Sequence, residues 1–253
     1  MNVSQDVVWD LGPGPGRRVN LLVLPHAGGS AHAYLDWADL LPAGFGLLIG
    51  QYPGRGARYA EPLPESVDDL VDPIVAHLPP TADELIVLGH SMGGLMAFEI
   101  VRRLEELGRP VLGLVASACR APHLPNPSPV HPETLSDDEL VAVLRTRGGT
   151  PEEVLDHPQL RSMVMGTVRA DFAIDDTYRF TGPTRVLRCP VAAVGGDSDP
   201  VVPLGDLARW AEASCSKVTT HVLPGGHFYF QDDPSALLSI AVMAGRVQGE
   251  ETR

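Results

Sequence analysis

The stretch Leu85-Ile86-Val87-Leu88-Gly89-His90-Ser91-Met92-Gly93-Gly94-Leu95-Met96-Ala97-Phe98-Glu99 decides how the rest of the chain is read. Its first residues form an apolar run with the length and β-branching of a buried strand. Two glycines then flank a serine. Leu95, Met96, Phe98, Ile100, Val101 and Leu104 follow at helical spacing, with Arg102, Arg103, Glu105 and Glu106 between them and Gly108 as a stop. Strand, Gly-x-Ser-x-Gly and helix together spell a nucleophile elbow. The spacing has a steric origin. A serine on so sharp a turn sits at strained dihedrals with backbone crowded against it, and Gly89 and Gly93 carry no Cβ to clash. The turn exposes the Ser91 hydroxyl. It also aims the first helical N–H groups, at the positive end of the helix dipole, toward any negative charge that develops there.

Outward from this unit, strands and helices alternate. Val19–Leu24 is a predicted strand ending in Pro25-His26-Ala27-Gly28-Gly29-Ser30, followed by a helix over Tyr34–Leu41. Gly46–Tyr52 is the next strand, closed by Pro53-Gly54-Arg55-Gly56. A helix over Val67–Leu78, with Pro73 as a kink or break, precedes the elbow, and the strand Val111–Ser117 follows it. Alternation of this kind predicts an α/β fold, a mostly parallel sheet with helices on both faces. Residues 1–18, with Gly12-Pro13-Gly14-Pro15-Gly16, read as a poorly ordered lead-in. From 121 to 188 the alternation lapses. A proline-rich exit leads to helical segments, one opened by Ser136 with Glu139 three residues on, another over Leu160–Phe172. Alternation resumes with the strand Val191–Gly196, a helix near Leu204–Glu212, the strand Val218–Leu223 and a last helix over Pro234–Val247. The expected organisation is therefore one domain over 1–253 with a helical lid inserted at 121–188.

Composition narrows the class. The chain has 253 residues, 44% of them apolar and 20% charged, enough for a substantial core. A net charge of −13 argues against a nucleic-acid partner. No apolar run has the length of a membrane span, and the N-terminus lacks the basic-then-apolar order of a signal peptide. Cys119, Cys189 and Cys215 have no metal-ligand spacing and leave an odd thiol in any pairing, which points to a reduced, cytoplasmic setting.

A serine nucleophile needs a base oriented by a third group. In α/β-hydrolases the chain order is serine, acid, histidine, the last two in loops after late strands. After the strand 191–196 comes Gly196-Asp197-Ser198-Asp199-Pro200, and after 218–223 comes Pro224-Gly225-Gly226-His227-Phe228. His227 is thus the expected base. Asp199 is the expected acid, since Gly-x-x-Asp-x-x-Val-Pro is similar to other acid loops of this kind, and Asp197 is read as a turn former. An oxyanion hole needs two backbone donors, assigned to Met92 after the nucleophile and to Ala27 in the loop after the first buried strand. His26 and His90 neighbour this site and are given packing or loop roles. Met163, Met165 and Phe172 either line an acyl pocket or pack the inserted helices. The arginines of 121–188 are read as part of a solvated mixed face, because acids interleave with them.

Taken together, Pro25-His26-Ala27-Gly28-Gly29-Ser30, Tyr52-Pro53-Gly54-Arg55-Gly56, Gly89-His90-Ser91-Met92-Gly93, Arg169-Ala170-Asp171-Phe172 with Tyr178, and Gly225-Gly226-His227-Phe228 resemble the type II thioesterases, stand-alone α/β-hydrolases that accompany polyketide synthases and non-ribosomal peptide synthetases. Gly94 departs from the pattern, where alanine is commoner. The resemblance implies editing: hydrolysis of aberrant acyl groups from the phosphopantetheine arm of an acyl or peptidyl carrier protein. It implies Ser91 as nucleophile, His227 as base, Asp199 as its acid, Ala27 and Met92 as oxyanion donors, 121–188 as a mobile lid, no metal or cofactor beyond the arm the substrate carries, and a monomer. A carboxylesterase or lipase acting on oxygen esters, or a chain-releasing thioesterase domain, are the alternatives.

Overall fold

The computed structural model describes residues 7–11, 16–79 and 84–246. Seven strands form one sheet: β1 (Val8–Leu11), β2 (Val19–Leu24), β3 (Phe45–Gly50), β4 (Leu85–His90), β5 (Gly113–Ser117), β6 (Val191–Gly196) and β7 (Val218–Leu223). Their spatial order is β1-β3-β2-β4-β5-β6-β7, and every pairing is parallel except β1 with β3. The strands expected at 19–24, 191–196 and 218–223 form with those limits. β1 corrects the reading of residues 1–18 as a lead-in. Val8 pairs with Gly50 and Leu11 with Leu47, so a strand of four residues lies against β3. Four residues abutting a Gly-Pro run carry too little pattern to read as a strand, and Gly12 to Pro15 of that run lie outside the described residues.

The sheet is covered on both faces, and the period of two decides which residues go where. Leu22, Leu24, Leu48 and Val87 join a core with Leu70 and Ile74 of α1 (Val67–His77) and with Leu95, Phe98 and Val101 of α2 (Met92–Glu106). Their neighbours Leu21, Val23, Ile49, Ile86 and Leu88 face the opposite way, onto Tyr34 and Trp37 of the 3-10 helix Ala31–Leu40 and Leu237 and Ala241 of α7 (Ser235–Arg246). The Tyr34 segment was expected as a helix and is a tighter one. α1 runs through Pro73 without ending there. It starts on a capping box, in which Ser66 Oγ accepts the Asp69 N–H and Asp69 accepts the Ser66 N–H.

Between β5 and β6 lie α3 (Asp137–Arg147), α4 (Glu152–Asp156) and α5 (Pro158–Thr177), with no strand among them. Ser136 caps α3 through a capping box with Glu139, as its sequence predicts. These helices share a small core of their own: Val130, Leu140, Val141, Leu144, Leu155, Met165, Val168 and Phe172. Their surface carries the ion pairs Arg145–Glu152, Arg161–Asp138 and Arg169–Asp137, all exposed or half-exposed. Those arginines therefore already have acidic partners, in line with a mixed face. A short helix, α6 (Leu204–Leu207), follows β6. No described helix is long and apolar enough to cross a membrane.

Two details bear on the elbow. A Cβ added at Gly94 would lie 2.6 Å from Cys119 Cβ and 2.8 Å from its Sγ, so the cysteine fills the space an alanine methyl would need. Cys119 and Cys189 are buried, and burial pushes both thiols well up, whereas Cys215 is exposed; all three are unpaired. A thiol reagent at neutral pH is expected to modify one cysteine in the native protein and three after denaturation, with Cys215→Ser removing the native signal. Rapid labelling of two or more native thiols would contradict this burial.

Candidate functional site

Ser91 sits between β4 and α2 at φ 56° and ψ −123°, a left-handed conformation that a serine adopts only when its surroundings force it. The forcing is visible in the glycines. A Cβ at Gly89 would fall 1.9 Å from the Gly93 carbonyl oxygen, and one at Gly93 would fall 2.3 Å from Leu24 O and 2.5 Å from Pro25 O. No backbone adjustment short of opening the turn relieves contacts that close. The Ser91 N–H donates to Ser117 O at 2.8 Å, and the Gly94 N–H to Ser91 O at 2.8 Å, which ties the turn to β5 and starts the helix. The close approach of Gly93 to the end of β2 also brings the Pro25–Gly29 loop, with Ala27, against the elbow that carries Met92.

The three side chains picked out in sequence converge. Ser91 Oγ lies 2.9 Å from His227 Nε2, and His227 Nδ1–H donates to Asp199 Oδ2 over 2.9 Å. The histidine and aspartate side chains are 2% and 1% exposed, so water competes little for this bond. Asp199 Oδ1 accepts the N–H groups of Val201 at 2.7 Å and Val202 at 3.2 Å. Burial alone would raise the Asp199 pKa, but the bond to His227, its charge and the two N–H donors outweigh it and hold the carboxyl below the usual range. Asp197, by contrast, accepts the Ser198 hydroxyl and the Gly225 N–H at the surface and does not reach the histidine. It shapes the turn on which His227 stands.

His26 and His90 surround the site without joining that chain. His26 Nδ1 is 3.1 Å from Tyr34 OH and His90 Nδ1 is 2.9 Å from Ser117 Oγ, while the His90 ring centroid lies 5.1 Å from that of His227. Burial, reinforced by the neighbouring His227, lowers the His26 pKa to about 3 and pushes that of His90 well down, so both stay neutral; His26 meets the Phe228 ring edge-on and His90 meets it at a tilt. The segment after α3 lies over them. A Cβ at Gly149, itself at φ 86°, would strike the Phe228 ring at 2.2 Å.

The candidate acyl-pocket residues separate. Met165 and Phe172 are buried in the core shared by α3, α4 and α5, with Val168 between them along the same stripe. Met163 is 51% exposed, two residues off that stripe and on the far side, so the three do not form one wall. A cavity of about 420 Å³ does lie nearby, lined by Val130, Leu135, Val143 and Arg147 and, from the acid loop, Pro200 and Val201.

One feature escaped sequence reasoning. Asp171 shares the buried stripe of α5 and is wholly buried, forming a two-pronged ion pair with Arg55: Nη1 to Oδ2 at 2.5 Å and Nη2 to Oδ1 at 2.8 Å. Both residues appear in the quoted motifs without a role. The available signal was a carboxylate at i+3 from Val168 and i−1 from Phe172, on an apolar stripe where a charge demands a partner.

A sequence model of the thioesterase domain family matches residues 19–242. The chain is 39% identical over 223 residues to Thioesterase PikA5 of Streptomyces venezuelae, which covers 87% of this chain and 78% of the relative. It is 32% identical to Thioesterase TesA of Mycobacterium marinum, over 87% of this chain and 88% of the relative. Among solved structures, the type II thioesterase BorB from the borrelidin biosynthetic cluster superposes with a TM-score of 0.84 at 36% identity, covering 96% of this chain and 99% of that one.

The two neutral histidines give the fold a pH dependence with a definite sign. Between pH 6.5 and about 3 the unfolded chain binds a proton at position 26 that the native state refuses, so stability falls as pH falls. That proton costs about 1.4 kcal/mol per pH unit in the window. Denaturant titrations at pH 7 and pH 5 are expected to show a loss that His26→Gln reduces by about 2 kcal/mol; an unchanged pH slope in that variant would show that the imidazole protonates in the folded protein.

Proposed function

The chain belongs to the thioesterase family, hydrolases of acyl thioesters on the α/β-hydrolase fold, and from that premise we propose that Ser91 is the nucleophile, His227 the general base and Asp199 the acid that orients it. The 2.9 Å spacing from Ser91 Oγ to His227 Nε2, continued at 2.9 Å from Nδ1 to Asp199, is the observation that carries this reading. Ser91 Oγ attacks the thioester carbonyl while His227 Nε2 takes its proton. The oxyanion that forms is held by the N–H groups of Met92 and Ala27. The thiol leaves, taking the proton from His227, and an acyl-Ser91 ester remains. Water activated by His227 then releases the free acid. Asp199, ionised and nearly unexposed, favours the imidazolium at each proton transfer.

The substrate we infer is an acyl group on the phosphopantetheine arm of an acyl or peptidyl carrier protein, removed when it blocks polyketide or peptide assembly. The likeness to a protein titled type II thioesterase over nearly the whole chain supports it. Nothing in this chemistry calls for a metal or resident cofactor, since water is the second substrate and the pantetheine arrives attached to the first. Residues 121–188 are read as a helical lid on a single domain, acting as a monomer. The close approach of Gly149 to the Phe228 ring, next to His227, supports this reading of the segment as a cover over the base.

Acyl transfer from a loaded carrier protein, followed by mass spectrometry of the carrier, tests the reading. Ser91→Ala is expected to lower turnover by roughly 10⁴-fold or more, and full turnover in that variant would refute the assignment. Faster hydrolysis of p-nitrophenyl esters than of carrier or N-acetylcysteamine thioesters would instead favour an oxygen esterase. Between the two acids, Asp199→Asn is expected to cost roughly 10³- to 10⁴-fold in kcat and Asp197→Asn only a few-fold; similar losses would remove Asp199 from its role.

A further inference from the structure

The Arg55–Asp171 pair grips the loop that carries Ala27. Asp171 Oδ2 accepts Arg55 Nη1 and, at 2.7 Å, the backbone N–H of Gly28. The same Nη1 donates to the Gly29 carbonyl at 3.3 Å. One ion pair therefore holds the backbone on both sides of Gly28. That segment is a tight turn, since the Gly29 N–H donates to His26 O at 2.9 Å and Gly28 has a φ of 76°, the signature of type II. In such a turn the central peptide can flip to the type I arrangement, and a flip here would carry the Gly28 N–H off Asp171. The bonds from Asp171 to Gly28 N–H and from Arg55 to Gly29 O hold this stretch in place, and the His26 O to Gly29 N–H bond, which both arrangements keep, sets the peptide before Ala27. Because the peptide is trans and planar, the Ala27 N–H then points the opposite way, out of the turn. Val168, one helical turn before Asp171, packs on the same glycine, where an added Cβ would lie 2.8 Å from Val168 Cγ2. The inserted helix α5 thus forms a wall of the turn.

We propose that Arg55 and Asp171 are positioning residues that fix the Ala27 N–H as an oxyanion donor, so that α5 of the inserted segment is a working part of the catalytic centre and not only a cover. This rests on the reading of Ala27 given above. Two observations separate positioning from simple docking of α5. First, the C-terminal part of α5 and its exit have other ties to the core: Arg120 donates to Asp175 at 2.9 Å and Tyr178 OH to Glu99 at 2.7 Å. Second, the pair is buried, with Arg55 6% and Asp171 0% exposed. Desolvation makes such a pair a poor source of net stability beside an apolar pair of similar size. An apolar pair, however, cannot bind a backbone N–H and a carbonyl one residue apart.

The test uses the full chain, an acyl N-acetylcysteamine thioester, and two inhibitors of the same acyl group: a trifluoromethyl ketone, whose serine adduct carries an oxyanion, and an inert thioether. Asp171→Asn and the double variant Arg55→Met with Asp171→Leu are expected to lose roughly 10- to 100-fold in kcat and a similar factor in ketone affinity. KM and thioether affinity should move less than threefold, because the interaction lost is made in the transition state. Arg120→Met, which cuts a comparable tie of the same helix away from the turn, should lower the melting temperature yet keep kcat. A folded double variant with kcat within threefold of wild type overturns the proposal, as do parallel losses in kcat and thioether affinity. Where the double variant does not fold, Asp171→Asn decides, and after it Arg55→Lys, which keeps the charge but loses the fork. A wild-type chain that hydrolyses no thioester, or does so without Ser91, refutes the underlying reading instead; normal turnover indifferent to Asp171 refutes only the positioning.

Discussion

A serine held at φ 56° is the constraint on which the molecule turns. The conformation costs of order 1–3 kcal/mol and persists because β4, α2, β2 and β5 each press on or bond to the turn. The glycines at 89 and 93 are what allow that pressure, as their α-hydrogens lie where the oxygens of Gly93, Leu24 and Pro25 exclude any methyl group. From this one knot the parallel sheet supplies the rest. Strands running the same way put all their carboxyl ends on one rim, so loops after β2, β6 and β7 meet the elbow although they lie up to 136 residues away from it in sequence.

Electrostatics around the rim follows from how dry it is. Burial, with the neighbouring His227 adding to it, keeps His26 and His90 uncharged, while the ionised Asp199 is the one negative group bonded to that histidine. The imidazolium of the proposed cycle therefore forms opposite a carboxylate and among neutral rings, with no cationic histidine to oppose it. Arg55 is neutralised by Asp171, and the charge of Arg147, which also reaches Asp199, is shared with Asp175 and Asp176.

Much of this was legible in the chain. β2, β4 and β6 announce themselves as apolar runs of strand length and β7 as a β-branched one, Val-Thr-Thr-His-Val-Leu, and the loops after β6 and β7 carry the candidate acid and histidine in the order the fold requires. Choosing between Asp197 and Asp199 from spacing agrees with which carboxylate faces the imidazole, since the residue nearest the strand end is drawn into the turn with Gly225. What sequence could not show depends on contacts between distant segments. β1 is too short to stand out from the Gly-Pro run beside it and forms because β3 offers an open edge. Met163 and Met165 look alike as an apolar pair, but 200° of helix rotation separates them, and only the packing of α3 and α4 decides which is buried. Arg55 and Asp171 are 116 residues apart, and nothing local in either tells of the other.

The glycine at 94 stands opposite Cys119 across a gap that holds one side chain or the other. The two positions are thus a single volume divided between two codons. An alanine at 94 becomes admissible only with a smaller residue at 119, and the reverse exchange leaves a hole. Neither step is neutral alone, so a chain that has settled on one partition is kept there by the intermediate. Transplanting this elbow into a relative, or a relative's into this chain, carries Cys119, two residues past β5, along with it.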